Sequence, residues 1–497
     1  MAGGINEAGD FRIEVAKLKT TTGKVIDLAF SMVAITIFED TGMSAISGQI
    51  LLQDSFALTS IGPIIGQEYL YLKISTPSFT AKSAVIDFTE NVFLIHSLEN
   101  RTEVGNNVQM YVLNFTTSEI MKNQRTKVSQ TLKGAYSDIV TSILLDVVDC
   151  KKDMYIEPSA GNKKIIAPNI RPFDVIGIAT REAISNKFKE PTYMFFETME
   201  GYHFRSLASM YAEGPVMTYK TYVPGGNIIQ KGPGIGSIDI IKDLSQILDY
   251  QVVANTDTLI NYTTGTYASN LFVHDIFNKR YENFKYNVFD NFVKEEHISS
   301  IASRAAHTER SSGASHRRAW DYPMYSDLSI EEDGSRISDF PARTYVMPVT
   351  EHDTDEHSDA SHITSNNTYP FVSYNPQNWV QRRNSQMMQL EQGFLVNILT
   401  HGNTLINAGD IVELDLPYKA AIKTTKNEQS DRFYKGMFFV KRIRHDFDFT
   451  ESKHKTHLTL VKDSLEDLLD GPTDNYEPKP GGRGSLFNTK EDFYQNI

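Results

Sequence analysis

Apolar and polar positions alternate in short runs over the first quarter of the chain. Phe11-Arg12-Ile13-Glu14-Val15 alternates strictly, and Ala34-Ile35-Thr36-Ile37-Phe38-Glu39 does so in part. Further runs follow at Ser47 to Asp54, Tyr69 to Ile74, Asn91 to Ile95 and Val108 to Phe115. Turn formers separate them: Gly23, Gly42, Gly62-Pro63, Gly66, Pro77 and Gly105-Asn106. A period of two with this punctuation predicts a succession of short strands, rolled into a barrel or paired into a sandwich.

After Ser118 the period lengthens. Leu132, Ala135, Ile139, Ile143 and Val147 predict a helix within Thr131–Val148. A second helix is expected after Arg171-Pro172-Phe173, with Asp174 near its N-terminus and Val175, Ile178, Ala179 and Ile184 behind it. Thr192 to Glu197 and Gly201 to Arg205 read as a hairpin. A Gly/Pro-rich stretch from Val223 to Gly236 then marks a boundary. Beyond it Ser237 to Leu248 mixes signals, and Leu259 to Tyr262 and Asn270 to Asp275 read as strands. The sequence turns polar and irregular from about 294 to 387, which predicts a long excursion. Clean strands return at Phe394 to Leu399, Gly409 to Pro417, Gly436 to His445 and His454 to Asp463. The Pro/Gly-rich tail after Leu469 is linker-like.

A length of 497 residues suggests three or four domains at about 150 residues each. The 11% aromatic content favours β-structure. With 49 Lys and Arg against 62 Asp and Glu, the net charge of −13 excludes a protein that coats nucleic acid. It is compatible with a channel wall that repels DNA phosphates. The lone Cys150 allows no intramolecular disulfide and is expected in a core. Met1 to Glu7 has neither the basic start nor the apolar run of a signal peptide, and no window approaches 18 apolar residues, so no membrane span is expected.

The closing block resembles the second barrel of phage baseplate hub proteins, a fold shared with the base of type VI secretion spikes. Four pieces carry the resemblance, in order: Gly402-Asn403-Thr404, Ala408-Gly409-Asp410-Ile411-Val412, Gly436-Met437-Phe438-Phe439-Val440-Lys441-Arg442-Ile443-Arg444-His445, and Leu460-Val461-Lys462-Asp463. The upstream layout of strands, two helices and an aromatic hairpin is similar to the family's first barrel and intervening domain. The resemblance implies a mainly β fold with α+β insertions. Its parts are a first tail-tube-like barrel (1–117), an α+β domain (118–222), a second barrel split between 237–293 and 388–469, a polar insertion (294–387) and a flexible tail (470–497).

The same resemblance implies a non-enzymatic hub in the baseplate of a virion tail, assembled in host cytoplasm. Three copies, each with two similar barrels, imitate a sixfold ring and so adapt a hexameric tail tube to a trimeric spike. The implied partners are two further copies, the tail tube protein and the central spike protein, with the tape measure protein and other baseplate proteins as further candidates. DNA would pass through the lumen without specific binding. Gly62 to Gly66 and Leu416 to Arg432 are candidate tube-facing loops.

Candidate chemistry is sparse, and no catalytic residue or cofactor is expected. In Glu351 to His362 the three histidines His352, His357 and His362 are the best metal candidates, since His and carboxylates suit zinc. Their spacing of five suits neither a helix face nor a strand face, so a solvated loop is the expectation. Lys231 to Ser237 is glycine-rich but lacks the Gly-Lys-Ser/Thr ending of a phosphate loop. His307, Arg310, His316, Arg317 and Arg318 form a basic patch beside Trp320 and Tyr322, expected as an exposed loop or subunit contact. Two alternatives stay open. One is a hub-like scaffold with cell-wall hydrolase activity at the histidine-rich metal site. The other is a secretion-type spike base, which continues into its spike; with the chain ending at Ile497, a separate spike protein is the expectation.

Overall fold

The computed structural model describes residues 8–465, apart from 63, 77–83, 106–107, 222–242, 255–256, 277–278, 293–294, 299–321, 325–326, 328–333, 350–374 and 418–429. Among the described residues the chain is mainly β, with α+β elements between its two halves.

The first half contains β1 (Arg12–Lys19), β2 (Val25–Asp27), β3 (Met32–Asp40), β4 (Ser47–Asp54), a helical turn α1 (Leu58–Ile61), β5 (Tyr69–Thr76), β6 (Ala84–Gly105) and β7 (Val108–Thr117). They pair antiparallel in the order β2-β1-β5-β6-β7-β4-β3. The alternation seen in the sequence puts Leu18, Ile35, Ile37, Ile50, Leu52, Leu70, Leu72 and Leu113 into one core, which this sheet wraps.

The α+β region follows with α2 (Ser118–Arg125), β8 (Val128–Gly134), α3 (Tyr136–Ser142), β9 (Asp153–Ile156), β10 (Lys163–Ile170), α4 (Pro172–Glu182), β11 (Tyr193–Thr198), β12 (Gly201–Ser206) and α5 (Leu207–Tyr211). The expected hairpin is β11 and β12, and the expected second helix is α4, with Asp174 accepting the Arg171 N–H. The expected first helix starts late. Residues 128–134 form a strand because β10, some 30 residues on, supplies a full antiparallel ladder. The helix begins after Gly134 (φ 134°) and closes as one π turn over Ile143–Val147. Cys150 is buried in this core, among Val148, Tyr202 and Phe204.

The later elements are β13 (Pro215–Thr221), β14 (Gln246–Ala254), α6 (Thr258–Thr264), β15 (Ala268–Asp275), β16 (Arg280–Asn287), α7 (Val288–Asn291), β17 (Tyr322–Pro323), β18 (Arg343–Val349), α8 (Val380–Gln392), β19 (Phe394–His401), β20 (Ile411–Pro417), β21 (Ser430–Asp448), β22 (Lys453–Lys462) and β23 (Ser464–Leu465). Six of them close a barrel in the order β21-β20-β13-β14-β19-β22, with β22 returning to β21. Closure removes the free edges that an open sheet would expose.

Four placements differ from the sequence expectation. β13, expected with the α+β region, hydrogen-bonds into the barrel between β20 and β14. Leu259 to Tyr262, expected as a strand, lies in α6, because Asp257 caps the Ile260 N–H and Gly265 ends the helix at φ 79°. β15, expected in the second barrel, joins a separate three-stranded sheet with β16 and β18. β18 and the start of α8 fall within the stretch expected to be an irregular insertion.

β21 couples the two halves. Its 19 residues pair with β20 and β22, and its last seven, Arg442–Asp448, also pair with β3. Phe447 on this shared stretch enters the first core, and Phe11 packs edge-on against it with ring centroids 5.3 Å apart. Burying such a ring is worth about 3–5 kcal/mol against alanine, so the halves cannot separate cheaply.

Candidate functional site

Two arrangements go beyond core packing: a set of carboxylate-pinned turns at one end of the first sheet, and a buried polar junction where all parts of the chain meet.

The pinned turns share one end of the sheet. Asp54, the last residue of β4, pairs with Gln109 beside the β6–β7 turn, and Gln53 N–H donates to Ser31 O in the β2–β3 turn at 2.7 Å. Lys24 Nζ donates to Ile61 O at 2.9 Å, which ties in the β1–β2 turn. Three acidic side chains then hold three turns from within. Asp27 Oδ1 accepts the Ala29 N–H at 2.9 Å. The buried Asp54 accepts from Phe56 N, Leu58 N and the Tyr111 hydroxyl at 2.9, 2.8 and 3.2 Å. The fully buried Glu68 accepts from Ile65 N at 2.7 Å and from Gly66 N and Gln67 N at 3.0 Å each.

Each pinned turn presents a large apolar side chain to solvent: Phe30 is 87% exposed, Phe56 60% and Ile65 60%. Val25, Ile61 and Val104 are exposed at the same end. Holding apolar side chains out in water on pinned backbone adds nothing to the stability of the fold. An apolar rim fixed in this way is built for contact, because its ordering entropy is spent on folding and not on binding.

The junction is centred on Glu39. It continues the inward phase of Ile35 and Ile37 on β3, so a charged residue takes a core-facing position at the end of its strand. One carboxylate oxygen accepts the Met199 N–H from the β11–β12 turn and the other accepts the Ala408 N–H from the β19–β20 connection, both at 3.0 Å. One side chain thus ties together the first sheet, the α+β region and the barrel. Burial pushes the Glu39 pKa up to about 8, against the pull of its two N–H donors, and the nearby Asp410 and Glu197 push the same way.

Beside it Glu197 accepts from Ile46 N at 3.0 Å and Thr117 Oγ1 at 2.8 Å, and pairs with Lys152, which also pairs with Glu119 at 2.7 Å. Burial works to lower the Lys152 pKa, but Glu197 and Glu119 outweigh it and keep the ammonium charged. On the other side Arg382 of α8 pairs with buried Glu190, which also accepts from Gln386 Nε2 and Glu296 N. Asp463 accepts from Ile298 N at 3.2 Å and faces His297 Nδ1 at 3.3 Å.

The four sequence pieces that carried the family resemblance sit at these contacts. Gly409 takes φ 98° and approaches Phe196, where an added Cβ would lie 2.8 Å from the ring. Gly402 passes so close to His454 that a Cβ there would come within 2.0 Å of the imidazole. Thr404 bonds Thr76 at 2.7 Å, and His445 Nδ1 faces His454 Nε2 at 3.2 Å in full burial. Desolvation lowers the His445 pKa to about 4 and pushes that of His454 well below its ordinary value, so the pair is neutral at pH 7.

No family model and no curated protein matches the chain. Solved structures do. The chain is similar to a tail protein from Neisseria meningitidis MC58, at 11% identity and a TM-score of 0.47, over 91% of this chain and 97% of that one. It is similar to the 43 kDa tail protein of prophage MuSo2 from Shewanella oneidensis, at 7% identity and a TM-score of 0.45, over 90% and 98%. It is also similar to a chain of the Francisella PdpA-VgrG complex, at 8% identity and a TM-score of 0.39, over 93% and 53%.

The sequence-predicted sites fall unevenly on this structure. His352, His357 and His362 lie outside the described residues, as do Lys231 to Ser237, the patch from His307 to Trp320 and most of Leu416 to Arg432. Among the described residues no group of three or more His, Cys, Asp or Glu is placed to hold a metal. Of Gly62 to Gly66, a candidate contact loop in the sequence, Ile65 and Gly66 belong to the pinned rim and Pro63 lies outside the described residues. Phe30 and Phe56 were missed. Their signal was the Asp27 and Asp54 turn pattern, an acidic side chain two residues before the N–H it binds.

Proposed function

We propose that the chain is a structural, non-enzymatic hub of a phage-type tail baseplate, acting as a homotrimer between a tail tube and a central spike. The observation that carries this reading is β21, which pairs both with strands of the closed barrel and with β3 of the first sheet, and so joins two β-rich halves in one chain. Three such chains offer six halves, so a threefold assembly can meet a sixfold ring. The pinned apolar rim supplies a contact surface that is ordered before the partner arrives, and tube docking is assigned to it. The junction suits a part under mechanical load, since Glu39, Glu197 and Glu190 fasten three regions by buried hydrogen bonds. The net charge of −13 suits a lumen that DNA passes without adhering.

Light scattering on the purified protein, alone and with its candidate spike, tests the reading. A particle of three times 56.1 kDa, alone or on adding spike, is expected. A stable monomer indifferent to spike sinks it. The double variant Phe30→Ser/Phe56→Ser should keep the trimer and lose binding to tube rings.

A further inference from the structure

We infer that the ribbon formed by β8 and β10 is a docking surface for an extended acidic segment of another protein, one with apolar residues between its carboxylates. The ribbon has two strands, and among the described residues neither strand pairs with a third, so each has an edge with no strand beside it. Its inner face is accounted for: Val128, Leu132, Ile165 and Ala167 are buried in the α+β core. Its outer face is not. Lys133 stands directly opposite Lys164, Thr131 opposite Ile166 and Ser129 opposite Pro168, all exposed, with Ile166 at 69%.

A like-charge pair across a ladder weakens the sheet that carries it. Neither Lys133 nor Lys164 has a carboxylate within ion-pair distance among the described residues. Lys127 and Arg171 flank the other end of the ribbon, next to the Val128–Ile170 pair. Lysines do guard open strand edges against unwanted pairing. That role does not account for a large apolar side chain left out at the centre of the guarded face. An apolar anchor inside a charged rim is instead the usual anatomy of a contact surface.

Charge selects the partner. Residues 118–214 carry 13 Lys and Arg against 12 Asp and Glu in a chain of net charge −13, and three of those acids, Glu119, Glu190 and Glu197, are buried against one base, Lys152. The surface left is basic, on a chain that is acidic as a whole. An extended segment laid along β10 can use the open backbone of the edge, seat an apolar side chain on Ile166 and set carboxylates against Lys133 and Lys164. Nucleic acid fits less well, because the rest of the chain repels a long polyanion and the ribbon offers no aromatic side chain for stacking.

The test uses the full chain and a fluorescent peptide, Glu-Ser-Val-Ser-Glu-Ser-Val-Ser-Glu, whose carboxylates and apolar side chains fall on one face of an extended strand, followed by anisotropy. Saturable binding is expected, weakened at high salt and at least about tenfold by Lys133→Glu/Lys164→Glu and by Ile166→Ser. The milder Lys133→Gln/Lys164→Gln should fall between, and circular dichroism checks that each variant is folded. Absence of saturable binding overturns the proposal, and so does binding that the folded variants leave unchanged. Duplex DNA displacing the peptide through the same lysines also overturns it, in favour of a nucleic-acid face. None of these outcomes bears on the trimer, which light scattering reads separately.

Discussion

Replacing Glu39 with alanine strikes the residue that joins three parts of the chain, and its cost can be worked from the geometry. The substitution leaves the Met199 and Ala408 N–H groups buried without their acceptors. Each orphaned donor costs about 1–3 kcal/mol, so the loss is about 2–6 kcal/mol where the carboxyl itself carries no penalty. That condition holds near pH 5. The folded-state pKa is raised, to about 8 from an ordinary 4.5, so the native state holds a proton that the unfolded state releases. The contribution of Glu39 to stability is therefore complete below pH 4.5 and declines as pH rises through 8. The variant has no such decline, and the gap between it and the parent should narrow by about 3 kcal/mol from pH 5 to 7.5, at 1.36 kcal/mol per unit. Urea unfolding followed by circular dichroism at several pH values measures the gap. Hydrogen exchange at Met199 and Ala408 should accelerate in the variant at every pH. A gap below about 1 kcal/mol at pH 5, or unchanged protection at the two amides, would refute the joining role. A gap that is constant with pH would refute the raised pKa while sparing the hydrogen bonds.

Other perturbations follow from the same contacts. Lys152→Met leaves Glu119 and Glu197 buried without their cation and should cost about 3–5 kcal/mol in denaturant unfolding, much of it regained by adding Glu119→Gln and Glu197→Gln. Glu68→Ala frees three N–H groups of the Ile65 turn, so tube-ring affinity measured by co-sedimentation should fall while the trimer persists. Gly402→Ala drives a methyl into His454 and should cost about 1–3 kcal/mol or more, read as a drop in melting temperature. The buried His445 and His454 have depressed pKa values, so the native state binds fewer protons than the unfolded state below pH 6.5. Their contribution is present above pH 6.5 and is lost as pH falls through 4, and His454→Phe should flatten this acid limb of the stability curve.

Much of the architecture was legible in the chain because its strands are half-buried. In β3, β4, β19 and β22 one face meets a core and the other meets solvent or a neighbour, and the period of two records this directly. The β11–β12 hairpin and α4 were legible for an equally local reason, a turn glycine and a Pro–Asp start. The glycine, histidine and aspartate positions of the closing block were legible as a pattern, while their role at the junction was not. Where the local signal ran out, distant partners decided. Residues 128–134 became a strand because β10 offered a ladder, and β13 entered the barrel because β20 and β14 stood on either side.

By itself, then, the sequence determined many of the strands and the turns between them, and that the chain carries a strong negative charge. Only the tertiary structure decided that β21 belongs to two sheets at once, that Glu39 is a core residue serving three regions, and that Phe30, Phe56 and Ile65 stand outside. The reason is physical. Alternation reports whether a face is buried but not against what, and a carboxylate is stable in a core only where folded backbone brings N–H groups to it. Donors as far apart in the chain as Met199 and Ala408 meet at Glu39 only once the fold is complete.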